Sequence, residues 1–410
     1  MSVSNSAHLP LLSILIPTYN RPGYLDECLY SILGQDFEDY EIIAKDNHSD
    51  DVEGYARVIE KYQKVFTNKG VVLRYVRNDK NLGVVGNKHE GVVKDCKGKY
   101  CIIVDDDDFY TSNKVLSLYV RMFQTIDDVA VVTGEVRRFY QDTESPPVKK
   151  IIDENAHRLI SGSPLIVDGN EYFLGFWNRF GTRQCNVTMF DRQLALDRGW
   201  PYVECNDQSI LLLLAPGNKV VIFDDQLAYY RIHASEHQKP NESKTVTPQQ
   251  MFESHTAILD WVDNTRKNTN ISSLSLFIWR LKNIILKERG FMIFLHSRNE
   301  DEMREFCELL RNYSKLDYYV QRYLDPNVIK WDYDKANNCE NRFIRFLLKV
   351  MIGIRWATSN LILQTDRILH DPEYRYKCRI DRLFYDPEYR FRLKRKISRL
   401  ILGSGGRVIT

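Results

Sequence analysis

The chain has 410 residues, and at roughly 100–200 residues per domain it holds about two to four domains with material for a sizeable core. Lys and Arg total 57 against 55 for Asp and Glu, a net charge of +2, which excludes a chain built globally to wrap duplex DNA. Hydrophobic residues at 43% and charged residues at 27% are ordinary globular values, so wholesale disorder and collagen-like or mucin-like classes are excluded as well.

In chain order, Leu9 to Ile16 is apolar, no basic region precedes it and Pro17 ends it, which predicts a first strand rather than a signal peptide. The β-branched run Ser13 to Ile16 is followed by others of strand length at Glu41 to Ala44, Val71 to Val76, Cys101 to Val104 and Val129 to Thr133. Between the first two, Gly23 to Gly34 repeats Leu25, Leu29, Ile32 and Leu33 at helical spacing, while Asp51 to Phe66 and Val84 to Cys96 separate later runs. This alternation predicts an α/β chain with a doubly wound, mostly parallel, Rossmann-like sheet. Ligands of such sheets sit at the carboxyl ends of the strands. There the sequence places Pro17-Thr18-Tyr19-Asn20-Arg21, then Lys45-Asp46-Asn47-His48-Ser49-Asp50-Asp51, then Asp105 to Asp108, so three strand ends are expected to share one rim.

Beyond about residue 245 the pattern changes to helical periodicity rich in Arg, Lys, Tyr and Leu. The polar stretch Gln238 to Lys244 marks a boundary, giving a domain over 1–240 and an α-helical C-terminal region over 241–410. Asp371-Pro-Glu-Tyr-Arg375 recurs as Asp386-Pro-Glu-Tyr-Arg390, and each copy carries a helix-start signal. Arg342, Arg345 and Lys349 share a narrow sector of a predicted amphipathic helix, and Arg390 to Arg399 holds six basic residues interleaved with Phe391, Leu393 and Ile397. That composition suits an interfacial helix on anionic lipid, or equally a helix packed on the first domain with a solvated basic face. A nucleic-acid patch is the weaker reading, since no nucleic-acid module accompanies it. No long uncharged span occurs: Phe343 to Leu363 is interrupted by Arg345, Lys349 and Arg355. The eight cysteines form no Cys-x-x-Cys pair or zinc-type cluster, so the expectation is a reducing cytoplasm.

Four successive aspartates behind Ile102-Ile103-Val104 repel one another at reduced dielectric unless cations neutralise them. A divalent metal is the simplest remedy, and hard carboxylate oxygens suit magnesium or manganese; a solvated acidic turn is the alternative. No phosphate loop of the Gly-x-x-x-x-Gly-Lys type is present, which counts against a nucleoside triphosphatase.

These residues resemble the family 2 glycosyltransferases of the GT-A fold, inverting and metal-dependent enzymes with nucleotide-sugar donors, over about residues 11–238. Leu15 to Arg21 is similar to the family's first-strand motif, which implies donor contacts from Pro17, Thr18, Tyr19, Asn20 and Arg21, with Tyr19 at the base. Ser31 to Asp36 and Tyr40 to Ile43 match its helix and second strand, placing Asp46 and Ser49 at the uracil edge. Asn81-Leu82-Gly83-Val84-Val85-Gly86-Asn87 resembles the loop that approaches ribose and diphosphate, so Asn81 and Asn87 are donor contacts by resemblance; Lys88 and His89 follow without an assigned role. In the Asp-x-Asp signature Asp105 and Asp106 fall on the donor side and Asp107 on the metal. Tyr229 to His233 is similar to the closing loop, which implies Arg231 at the diphosphate and His233 on the metal. Arg183 to Met189 matches the acceptor-facing region.

Asn206-Asp207-Gln208 resembles the family's catalytic motif, with Asp207 as general base, Glu204 as the substitute, and helix capping by Asp207 as the competing reading. The resemblance implies a sugar moved from a nucleotide donor, a UDP-sugar, to a saccharide acceptor such as a lipid-linked O-antigen or capsule intermediate at the inner face of the cytoplasmic membrane. A processive synthase is disfavoured because Ile352-Gly353-Ile354-Arg355-Trp356 lacks the glutamine of Gln-x-x-Arg-Trp. A nucleotide-sugar-binding protein without turnover, and a sugar nucleotidyltransferase, are the competing classes.

Overall fold

The computed structural model describes residues 9–141, 145–160, 162–180, 183–199 and 206–232, and parts of 247–313 that include the helix Glu300–Tyr313. The boundary near 240, the amphipathic stretch at 342–354 and the basic tail at 390–399 lie outside the described residues. Two compact units are present, 1–272 with 291–326 and 273–290 with 327–410, and the site belongs to the first. Among the described residues no helix is long and apolar enough to cross a membrane.

Strand β1 (Leu12–Thr18) lies between β2 (Tyr40–Asp46) and β4 (Tyr100–Ile103), with β3 (Val72–Arg77) outside β2, all parallel. Every residue of β1, β2 and β4 is buried, as expected for parallel strands covered on both faces. On one face Ile14, Ile16, Ile42 and Ala44 pack with Leu25 and Leu29 of α1 (Pro22–Leu33) and Tyr55 and Phe66 of α2 (Val52–Asn68). Pro22 pre-sets the first helical φ of α1, and Asp51 caps α2 by accepting from the Gly54 N–H at 2.8 Å. On the other face α3 (Gly83–Glu90) runs into a π-helical turn, Gly91–Asp95, where Gly91 packs against Leu15. Helices therefore flank both faces of a doubly wound sheet.

Past β4 the sheet becomes mixed. Short β5 (Phe109–Tyr110) is followed by α4 (Val115–Thr125), β6 (Val129–Tyr140), α5 (Val148–Asn155), β7 (Leu165–Asp168) and α6 (Gly169–Gly175). Then come β8 (Thr188–Asp191), α7 (Arg192–Asp197), α8 (Asn206–Leu214) and β9 (Lys219–Ile232). The strand order is β3-β2-β1-β4-β8-β6-β9-β5, with β7 also on β9. Strand β8 is antiparallel to both β4 and β6, whereas β6 and β9 are parallel.

Two glycines are required by geometry. Gly83 opens α3 at φ +72°, a left-handed value that favours glycine. Gly98, in the turn before β4, donates its N–H to Ser13 Oγ at 2.7 Å, and the same hydroxyl binds Glu41, a buried carboxylate paired with Arg74 at 2.8 Å. A Cβ at position 98 would lie 2.5 Å from the Ser13 nitrogen and 2.6 Å from the Leu12 carbonyl carbon, both backbone atoms. Gly98→Ala is expected to destabilise by about 2–3 kcal/mol, seen as a lower urea midpoint at unchanged m. Gly23→Ala, where a Cβ meets nothing within 4 Å, should leave the midpoint unchanged or raise it.

Candidate functional site

The carboxyl ends of β1, β2 and β4 meet at one rim, and a cavity of about 180 Å³ opens there. Its walls are Pro17, Thr18, Tyr19 and Arg21 after β1, Asn47 after β2, Val84, Asn87 and Lys88 from α3, and Asp105 after β4. That volume is below the ~300 Å³ of a typical small-molecule pocket, so it can house a fragment of a larger ligand.

The four aspartates alternate. Side chains of Asp105 and Asp107 are 31% and 13% exposed, whereas those of Asp106 and Asp108 are buried. Asp105 pairs with Lys88 at 2.8 Å and Asp107 with Arg21 at 2.7 Å. Asp106 accepts from the Thr18 hydroxyl at 2.5 Å and contacts the Arg21 guanidinium at 2.7 Å. Asp108 accepts from Asn186 Nδ2 at 2.7 Å and from the Arg231 N–H at 3.0 Å. Burial raises both inward carboxyls: Asp106 is pushed up to about 7, with Arg21 opposing the shift and Asp107 adding to it, and Asp108 also rises well above the usual carboxylate range. The mutual repulsion that the sequence carries is thus met in part by two protein cations, Lys88 and Arg21, and by burial that favours the protonated form of Asp106 and Asp108. Asp106, expected among the donor contacts, is enclosed beneath the rim because its oxygens face Thr18 and Arg21.

The loops around this cluster interlock. Asn20, at φ +53°, exchanges hydrogen bonds with Asp50 at 3.1 and 2.7 Å, tying the loop after β1 to the loop after β2. Asp46 is fully buried and does not line the cavity. It accepts from the Ser49 N–H at 3.0 Å, the Ser49 hydroxyl, Tyr75 Oη at 2.6 Å and Arg77 at 3.2 Å. Asp46 and Ser49, the pair expected at the base edge, brace the turn after β2, and the neighbouring residue that lines the cavity is Asn47. Asn47 donates to Asn81 Oδ1 at 2.8 Å and to the Gly83 carbonyl at 3.2 Å, and accepts from the Leu82 N–H at 2.8 Å. Asn81 thereby shapes the approach to α3 rather than lining the cavity. Asn87 donates to the Lys45 carbonyl at 2.9 Å and accepts from Asn78 at 2.8 Å.

Arg231, expected at the diphosphate, is instead 2% exposed and committed inside the protein. Its guanidinium donates to the Asp107 carbonyl at 2.8 Å, to Glu27 at 2.6 Å and to Gln141, and lies 4.5 Å from the Tyr24 ring centre. The segment expected to face an acceptor begins beside the same aspartates: Cys185 Sγ is 3.7 Å from Asp105 and 3.6 Å from Lys88 Nζ. Asp207 falls in the first turn of α8, but its side chain, like Glu204 and His233, lies outside the described residues.

Asn47 and Lys88 are cavity residues to which the motif reading gave no role. Asn47 had a usable signal, being the first residue past a buried parallel strand; Lys88 had a weaker one, lying one residue past Asn87 on the first turns of α3.

The glycosyl transferase family 2 profile matches residues 13–188, which contain every cavity residue named above. Over those residues, less than half of the chain, the sequence is similar to glycosyl transferase family 2. A poly(ribitol-phosphate) beta-glucosyltransferase of Bacillus spizizenii is 36% identical over 110 residues, 26% of this chain and 16% of the relative. A GalNAc(5)-diNAcBac-PP-undecaprenol beta-1,3-glucosyltransferase of Campylobacter jejuni is 33% identical over 111 residues, 27% of this chain and 34% of the relative. The chain thus spans well under half the length of these curated relatives. Staphylococcus aureus TarS, solved with UDP-GlcNAc, aligns at TM-score 0.53 and 17% identity over 74% of this chain and 80% of the solved chain, a likeness of fold. The first unit has the GT-A fold.

Because Asp106 holds its proton more tightly folded than unfolded, its contribution to stability is full below the unfolded carboxyl range and is lost as pH rises through about 7. Melting temperatures in chelator between pH 5 and pH 8 should fall for the wild type, and Asp106→Asn, which cannot ionise, should flatten that decline.

Proposed function

We propose that the protein is an inverting glycosyltransferase that moves one sugar from a nucleotide-sugar donor, a UDP-sugar, to a saccharide acceptor in surface-polysaccharide assembly. The observation that carries this reading is the placement of Asp105 and Asp107, the two more exposed aspartates, at the carboxyl end of β4, with Asp105 lining the cavity that the loop after β1 and α3 enclose. The names of the Bacillus and Campylobacter relatives, one acting on poly(ribitol phosphate) and one on an undecaprenol-linked saccharide, support a polymer or lipid-linked acceptor. Residues 1–240 would be the catalytic domain, and the basic tail within 241–410 would hold it to the anionic inner face of the cytoplasmic membrane.

In this reading Pro17, Thr18, Tyr19, Asn20 and Asn47 border the nucleoside, and Arg21 contacts the donor from beside Asp107. Asn87, Lys88 and Asp105 face the ribose and diphosphate, with Asp46, Asn81, Asp106 and Arg231 holding those groups in place. Among the described residues no three His, Cys, Asp or Glu side chains converge as metal ligands. A magnesium or manganese ion would be held by the Asp107 carboxylate, a hard oxygen donor of the kind such ions take, with Asp105 on the donor side beside it and His233 as the further ligand the motif implies. Such an ion would neutralise charge on the departing nucleoside diphosphate. Asp207 removes the proton of the acceptor hydroxyl as that oxygen bonds to the sugar C1, on the face opposite the C1–O bond to diphosphate that breaks.

A thermal-shift panel of UDP, GDP, dTDP and CMP, each with and without manganese, tests the donor class. UDP with manganese should raise the wild-type melting temperature by several degrees at about a hundred times its dissociation constant, and Asp107→Ala should abolish the metal-dependent part. Asp207→Asn should lower transfer by about 10²–10⁴-fold while nucleotide affinity persists. Unchanged transfer in Asp207→Asn would favour a different base, and absence of turnover in both proteins a binding role without catalysis.

A further inference from the structure

Arg21 occupies the place where charge on Asp107 must be met. Its main chain is pinned as the N-cap position of α1, the N–H donating to Tyr55 Oη at 2.9 Å. Its side chain is 40% exposed, lines the cavity, and bridges Asp106 Oδ1 and Asp107 Oδ2 at 2.7 Å each. Lys88 meets Asp105 in the same way but is only 8% exposed, so of the two cations Arg21 has more freedom to move. A guanidinium bonded to Asp107 Oδ2 and a divalent cation coordinated by that same oxygen repel each other. The two positive charges would face each other across one oxygen, and the directions in which the guanidinium N–H groups bind are those a metal needs.

We propose that Arg21 is the resident counter-ion of Asp107 and competes with the divalent cation for it, so that metal capture and release of the guanidinium toward the cavity are one event. This rests on the reading of Asp107 as a metal ligand. Once displaced, Arg21 remains tethered at the cavity wall, where its planar donors suit a diphosphate. Metal and nucleoside diphosphate then assist each other's binding: the metal frees the cation that the anion uses, and by linkage the anion tightens the metal by the same factor.

The test is direct binding of Mn²⁺ to the full chain, followed by the electron paramagnetic resonance of free Mn²⁺, with and without UDP. In the absence of nucleotide Arg21→Gln should bind Mn²⁺ about tenfold more tightly than wild type, the scale of one partly screened charge pair, and the factor by which UDP tightens Mn²⁺ should shrink. Arg21→Lys keeps the charge but loses the two-carboxylate bridge, so its Mn²⁺ affinity should fall between the two, which keeps the test available if Arg21→Gln does not fold. Affinity equal to or weaker than wild type in a folded variant overturns the proposal. Asp107→Asn separates the failures: loss of Mn²⁺ there without tightening in Arg21→Gln rejects the competition alone, and Mn²⁺ retained at wild-type affinity rejects Asp107 as a ligand and the competition with it.

Discussion

The site depends on how four adjacent carboxyl groups are kept at the end of a buried strand. Strand β4 is apolar over its whole length, so the chain leaves the core directly into Asp105. Four full charges at this spacing would repel by kilocalories at reduced dielectric. The protein divides them instead. Asp106 and Asp108 turn inward, where burial favours the protonated form, and Asp105 and Asp107 turn outward to Lys88 and Arg21. Because both cations reach in from elements other than β4, the aspartate loop draws α3 and the start of α1 toward itself. The cavity lies where those pieces meet.

Topology makes that convergence inexpensive. Parallel strands β1 and β2 end opposite each other at Thr18 and Asp46, while β4 ends at Ile103 opposite Leu15, so the aspartates after β4 run up beside the end of β1 and the following loops are neighbours although far apart in sequence. Once adjacent, they are joined by short polar side chains: Asn20 with Asp50, Asn47 with Asn81, and Asn78 with Asn87. Asparagine suits such a junction since one amide both donates and accepts, and it tolerates the left-handed backbone that Asn20 adopts. These bonds hold the loops without adding charge beside the aspartates.

The parallel half of the sheet was legible because fully buried strands read as continuous β-branched runs; the expected Ser13 to Ile16 lies within Leu12–Thr18, and Glu41 to Ala44 within Tyr40–Asp46. Strand β9 was not, since Asp224, Asp225 and Gln226 interrupt its apolar pattern where its register with β6 shifts. Strand β5 is two residues long and carries no period at all. At the site, motif position identified the rim but not the direction of each side chain. Asp46 ends β2 with its carboxylate turned into the protein, which leaves the next residue, Asn47, at the cavity. Arg231 looked like a phosphate fork because Arg commonly is one. Only tertiary structure shows that Glu27, Gln141 and the Asp107 carbonyl take up its donors.

Burial of Arg231 gives the aspartate loop a back wall, and that wall explains why the front can change partners. The Arg231 main chain holds the Asp108 carboxyl, its side chain holds the Asp107 carbonyl, and Asn186 holds Asp108 from β8's side of the sheet. These bonds fix the backbone of Asp107 and Asp108 from behind through buried groups whose loss would leave polar atoms unsatisfied. The outward carboxylate of Asp107 is held by the half-exposed Arg21, a contact screened by solvent and correspondingly weak. A loop anchored this way can exchange the cation on its outer face without moving its main chain. In the proposed exchange of counter-ions at Asp107, the Arg21 side chain rotates while the main chain behind it stays held by Arg231 and Asn186.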